Sequence, residues 1–163
     1  MHFADEPDAP LEVLAGRLEE LLPQLIRSIL GTPTDHPLAA LPLAQLRLCT
    51  LLLKDGSRTM SQVGEELRIS VSAVTQMADR LEKAGMVERV AETDGDRRTR
   101  HLQLTPNGLG LMTSRREMRV ARAAAVLGQL DPERRRDVLM ALDHLLETVN
   151  GAPQPDPPRE MFA

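Results

Sequence analysis

Residues 61–85, SQVGEELRISVSAVTQMADRLEKAG, carry two helical runs of apolar residues separated only by a short break at Arg68 and Ile69. Helices joined by so short a break cross closely, and a close crossing needs a small residue in the first of them. Gly64 supplies it. Val63, Leu67, Ile69, Val74, Met77 and Leu81 are spaced to lock the crossing, which leaves Ser72, Ala73, Thr75, Gln76 and Arg80 on the outer side of the second helix. Ser70 suits the N-cap of that helix and Gly85 the position just past its end.

A polar outer face by itself is what any solvated helix shows. The hairpin pattern directly after this helix gives the face a purpose. MVERVAE and RHLQL have the alternation of two strands, and between them lies the arginine-rich tip TDGDRRT. Gln pairs bidentately with adenine, Ala and the Thr methyl suit a thymine methyl, and Ser or Thr hydroxyls suit phosphates or base edges. Arginines on a hairpin beside such a helix reach the neighbouring minor groove, whose negative potential favours a guanidinium. Arg97, Arg98 and Arg100 stand at those places.

On either side of this middle the pattern is helical. Leu11, Leu14, Leu18, Leu21, Leu22, Leu25 and Ile29 form the stripe of a long amphipathic helix that Gly31, Thr32 and Pro33 stop. LAQLRLCTLLLK, from Leu43 to Lys54, is apolar nearly all round, the mark of a helix buried on most faces, and Asp55 with Gly56 closes it. Thr105 caps a further helix with Pro106 in its first position, running to about Gly128. Asp131 and Pro132 open the last one, striped by Val138, Leu139, Leu142, Leu145, Leu146 and Val149. Two such stripes at opposite ends of a chain whose middle has its own core favour pairing between copies.

With these motifs the sequence resembles the MarR (multiple antibiotic resistance regulator) family of winged helix-turn-helix regulators. SVSAVTQMADRLEKAGMVER, DGDRRTRHLQLTPNG and LAQLRLCTLLL carry the likeness, which covers residues 11–149. It implies a mainly α fold: a winged helix-turn-helix with a two-stranded wing and N- and C-terminal dimerisation helices. Residues 1–10 are then a flexible N-terminus and 150–163 a Pro-rich flexible tail. In the single domain between them, 11–30 and 106–149 dimerise and 43–104 form the DNA-binding lobe. The family's recognition-helix positions fall on Ser70, Ser72, Ala73, Thr75, Gln76 and Arg80, and its wing arginine on Arg97, with Asp96 and Arg98 bracing the tip. The turn departs from the pattern: Arg68 stands where the family usually has glycine. A positive φ there costs a non-glycine residue roughly 1–2 kcal/mol.

Composition narrows the partners. A formal net charge of −4 excludes a generally basic nucleic-acid coat, so DNA contact must come from locally placed arginines. Phe3 and Phe162 are the only aromatic residues, which leaves nothing to stack on unpaired bases; the expected nucleic acid is double-stranded. One cysteine, no leader pattern and no apolar span of roughly 18 residues lead to the expectation of a cytoplasmic protein without membrane insertion. Cys49, in an apolar helix, reads as a small core residue rather than a peroxide sensor. His2, His36, His101 and His144 lie too far apart for a zinc site, no cofactor is expected, and no nucleophile-base or phosphate-loop arrangement suggests an enzyme. Arg115, Arg116, Arg119 and Arg122 read as a solvated face pairing with Glu117 and neighbouring acids, and otherwise as a site for phosphate or an anionic effector.

The expected function is a sequence-specific, ligand-responsive repressor, acting as a homodimer on a pseudo-palindromic operator and answering to a small apolar or amphipathic effector. The alternative is a winged-helix protein-interaction module without its own operator.

Overall fold

The computed structural model describes residues 9–91 and 100–151; the expectations for both chain ends and for the hairpin tip fall outside them. The described residues form two compact units, one running to Arg122 and one from Ala123. The first holds α1 (Leu11–Leu25) with a π-helical continuation Ile26–Leu30, α2 (Leu43–Asp55), β1 (Arg58–Thr59), α3 (Met60–Leu67), α4 (Val71–Lys83), β2 (Val87–Ala91), β3 (Arg100–Leu104) and most of α5 (Pro106–Gly128). The second holds the end of α5 and all of α6 (Pro132–Gly151).

The helices begin and end where the local chemistry dictates. Ser70 Oγ accepts the Ala73 N–H at 3.2 Å, and Thr105 Oγ1 accepts that of Gly108 at 3.0 Å. Asp131 Oδ1 takes the Arg134 N–H at 3.0 Å, which lowers its pKa. At the end of α4 the Met86 N–H reaches Leu81 O and the Gly85 N–H reaches Glu82 O, each at 2.9 Å, with Gly85 at φ +67°. That bond pair reverses the chain into the wing.

The core of the first unit is aliphatic throughout. Leu48, Leu81, Leu102, Val63 and Val74 are fully buried, joined by Met86 and Met112. Burying each large side chain contributes about 1.5–3 kcal/mol. α2 supplies Leu46, Leu48, Cys49, Leu51 and Leu52, as expected of a helix apolar on most faces.

The sheet has three antiparallel strands in the order β1-β3-β2, not the two expected of the wing. β1 pairs Arg58 with Leu102 and Thr59 with His101. Two residues are too few to show alternation, which is why the sequence concealed it. Thr59 also caps α3, its hydroxyl taking the Gln62 N–H while Gln62 Oε1 takes the Thr59 N–H.

α1 and α6 each have no buried residue. Leu14, Leu18, Leu21 and Leu25 on α1, and Leu139, Leu142, Leu145 and Leu146 on α6, are exposed. None of the described helices is long and apolar enough to cross a membrane.

Candidate nucleic-acid interface

The three residues between α3 and α4 decide how α4 is presented. Arg68 is left-handed at φ 54°, ψ 46°, and the Ile69 N–H returns to Gly64 O at 2.9 Å. The turn therefore needs the positive φ that glycine usually provides, and arginine holds it at a cost of about 1–2 kcal/mol. A Cβ on Gly64 would stand 2.9 Å from Ile69 O and 3.7 Å from Val74 Cγ2, so the smallness demanded by the crossing is real. Val63, Val74 and Leu81 lock it as expected, Leu67 and Met77 pack at the edge of the core, and Ile69 is exposed. Ala78, fully buried, completes the lock and was not read from the sequence.

On the outer side of α4, Ser72, Thr75, Gln76 and Arg80 are exposed and Ala73 is half-buried. Ser70 is committed to its cap and lies 2.9 Å, Oγ to Oγ, from Ser72. Thr75 donates its hydroxyl to Val71 O at 2.9 Å, which leaves its oxygen as an acceptor and its methyl as an apolar contact. Gln76 and Arg80 make no hydrogen bond or ion pair among the described residues, so the amide and the guanidinium keep their full donor capacity.

The wing is tied to α4 by residues that periodicity did not single out. Arg89, midway along β2, donates to Asp79 at 2.5 Å and also to Glu82, both on α4. Its register partner is Leu102, a core residue, so Arg89 lies on the sheet face turned toward the helices. Glu88 faces Gln103 across the strands, joined at 2.9 Å. At the root of the wing, Thr105 donates its hydroxyl to Gly85 O at 2.6 Å and its N–H to Met86 O at 3.0 Å. The end of α4 and the start of α5 thus clamp the hairpin between them. Arg100 is exposed in the first position of β3, opposite Ala91, at the base of the tip. Asp96, Arg97 and Arg98 lie outside the described residues.

Residues 41–99 match the model of the MarR family. Over these residues the chain is similar to the MarR family. It is 28% identical over 123 residues, 76% of each protein, to the uncharacterized HTH-type transcriptional regulator YfiV of Bacillus subtilis strain 168. Over 65 residues, 40% of this chain and 41% of the relative, it is 43% identical to the HTH-type transcriptional repressor MdtR of the same organism. Its fold is similar to that of FabT from Streptococcus pneumoniae, crystallised in complex with DNA: TM-score 0.66 at 22% identity, over 85% of this chain and 94% of that one. The protein is a DNA-binding transcriptional regulator and not an enzyme.

Two further expectations bear on how this regulator is controlled. Cys49 is fully buried, and burial pushes its thiol to about 11, so at neutral pH it stays protonated and unreactive. The α5 arginines do not pair with Glu117 among the described residues. Arg115 Nε instead donates to Thr32 Oγ1 at 2.8 Å and Arg122 to Gly31 O at 2.7 Å, tying α5 to the segment after α1. The sequence pattern placed these arginines on one face but could not show that a distant loop supplies neutral acceptors.

Proposed function

We propose that this regulator is a ligand-responsive repressor that binds a pseudo-palindromic operator as a homodimer in the cytoplasm. The observation that carries the reading is the pairing of an uncommitted outer face on α4 with a wing locked to the same helix through Arg89. Such a unit enters the major groove with α4 and meets the flanking minor groove with its hairpin tip. In this role Gln76 reads bases. Ser70, Ser72, Ala73, Thr75 and Arg80 contact backbone or base edges, Arg97 enters the minor groove, Arg98 and Arg100 contact the DNA beside it, and Asp96 braces the wing.

The apolar faces of α1 and α6 support the dimer. Leu14 and Leu25 are each 48% exposed and Leu146 59%, an apolar surface that a soluble chain covers with a partner. Residues 11–30 and 106–149 then hold two copies together while residues 43–104 of each face one half-site. Repression is supported by the likeness to a named repressor. An effector acts by binding more tightly to a lobe spacing that misfits successive grooves.

Titration of the protein with duplex DNA at several salt concentrations tests the assignment. A phosphate-gripping regulator loses affinity steeply as salt rises. Gln76→Ala should cost roughly 1–3 kcal/mol at particular base pairs only. A flat salt dependence, or unchanged base preference in Gln76→Ala, counts against it.

A further inference from the structure

The first turn of α4 spends most of its hydrogen-bonding hydroxyls on itself. Ser70 Oγ accepts the Ala73 N–H at 3.2 Å and lies 2.9 Å from Ser72 Oγ, so one hydroxyl hydrogen of the pair is held between them. The Thr75 hydroxyl donates to Val71 O at 2.9 Å. What the side chains of this turn still offer a groove is largely carbon.

Two residues supply it. Val71, in the first position of α4, is 48% exposed, and Thr75, one turn further on, is exposed as well. Side chains four apart on a helix are neighbours, so the Val71 methyls and the Thr75 methyl form one apolar patch. Ala73, which the sequence offered for the same task, is half-buried and does not share that flank of the helix. Folding does not account for Val71. A β-branched residue has no advantage in a helix, and at this exposure it buries little apolar surface.

In the major groove thymine alone among the four bases carries a methyl group, on C5. We propose that Val71, together with the methyl of Thr75, reads a thymine methyl in each half-site, which makes Val71 a specificity-determining residue beyond the contact set expected of α4. The assignment rests on the operator-binding function proposed above. The N-terminal residues of a recognition helix are the ones that reach base edges, so the first turn is the part of α4 placed for this contact. An apolar patch there favours thymine over cytosine, and also over uracil, which keeps every hydrogen-bonding group of thymine and lacks only the methyl.

The probe is the duplex that the full chain selects from random DNA, remade with dU in place of dT at one pair of each half-site at a time. At one such pair the wild type should lose about fourfold in affinity per methyl removed, as removal of one buried methyl does. Val71→Ala and Thr75→Ser should each shrink that loss, and the double variant should bind the dT and dU duplexes alike. Thr75→Ser keeps the hydroxyl that bonds Val71 O, and alanine is the better helix former at the exposed position 71, so both variants should fold. At the same pair, 5-methyl-dC should be bound better than dC by the wild type and equally by the double variant. Equal binding of dT and dU duplexes at every pair overturns the assignment, as does wild-type discrimination retained by the double variant. Failure to select any duplex refutes the operator-binding reading and this assignment with it; a selected duplex indifferent to its methyl groups refutes this assignment alone.

Discussion

Gly108→Ala should damage this protein and Gly110→Ala should help it, although the two glycines stand only two positions apart near the start of α5. A Cβ at Gly108 would lie 2.0 Å from Met86 O and 2.9 Å from its carbonyl carbon, while one at Gly110 meets nothing within 4 Å. The Met86 carbonyl cannot simply yield, because it accepts the Thr105 N–H at 3.0 Å beside the Thr105 cap of α5. Overpacking costs about 1–3 kcal/mol and a weakened cap about 1 more. The better helix propensity of alanine returns up to about 1. The net loss is about 1–4 kcal/mol, which at this chain length lowers Tm by roughly 2–16 °C. At Gly110 only the propensity gain of about 0.5–1 kcal/mol remains, raising Tm by roughly 1–4 °C. Melts followed by circular dichroism at matched protein concentration measure both. A Gly108→Ala melt within about 2 °C of wild type, or a larger loss at Gly110, would refute the close approach of α5 to the root of the wing.

Arg89→Met keeps the side-chain stem but removes both ion pairs to α4; since Asp79 and Glu82 are about half exposed, screening limits the loss to about 1 kcal/mol, and a double-mutant cycle with Asp79→Asn should show coupling. The same variant should weaken duplex binding more than it lowers stability, because the wing loses its orientation. Cys49 should resist thiol reagents in the native protein and react fully on unfolding. Because burial raises its pKa from 9.0 to about 11, the unfolded chain ionises first, so stability present below pH 9 is lost as pH climbs toward 11, a trend Cys49→Ala should abolish. Arg97→Ala should reduce affinity more on operators with A·T-rich flanks, whose narrow minor groove holds a guanidinium better, than on G·C-rich ones; equal losses would make Arg97 a plain backbone contact.

The winged-helix half of this molecule was legible because its determinants are local. Ser70, Gly85 and Thr105 announce their caps within three residues of the groups they satisfy, and the left-handed demand at Arg68 shows as an arginine in a glycine position. The crossing at Gly64 comes from the same short turn. What was missed joins residues far apart or too few to form a pattern. Arg89 meets partners seven and ten positions earlier on another element, and β1 is only two residues long. Arg115 finds Thr32 across 83 positions, so this tie between α5 and the segment after α1 could not be read from periodicity. The stripes of α1 and α6 were visible as stripes, but a pattern of apolar residues states that a face is to be covered and not by what.

Selection of bound fragments from random duplex DNA by the purified protein puts the dimer-on-operator reading to its plainest trial. The expected result is an enriched sequence with two related half-sites in inverted order, their centres about one helical turn apart, bound by two copies of the chain. Enrichment of a lone asymmetric half-site bound by one copy, or no enriched sequence at all, would contradict it.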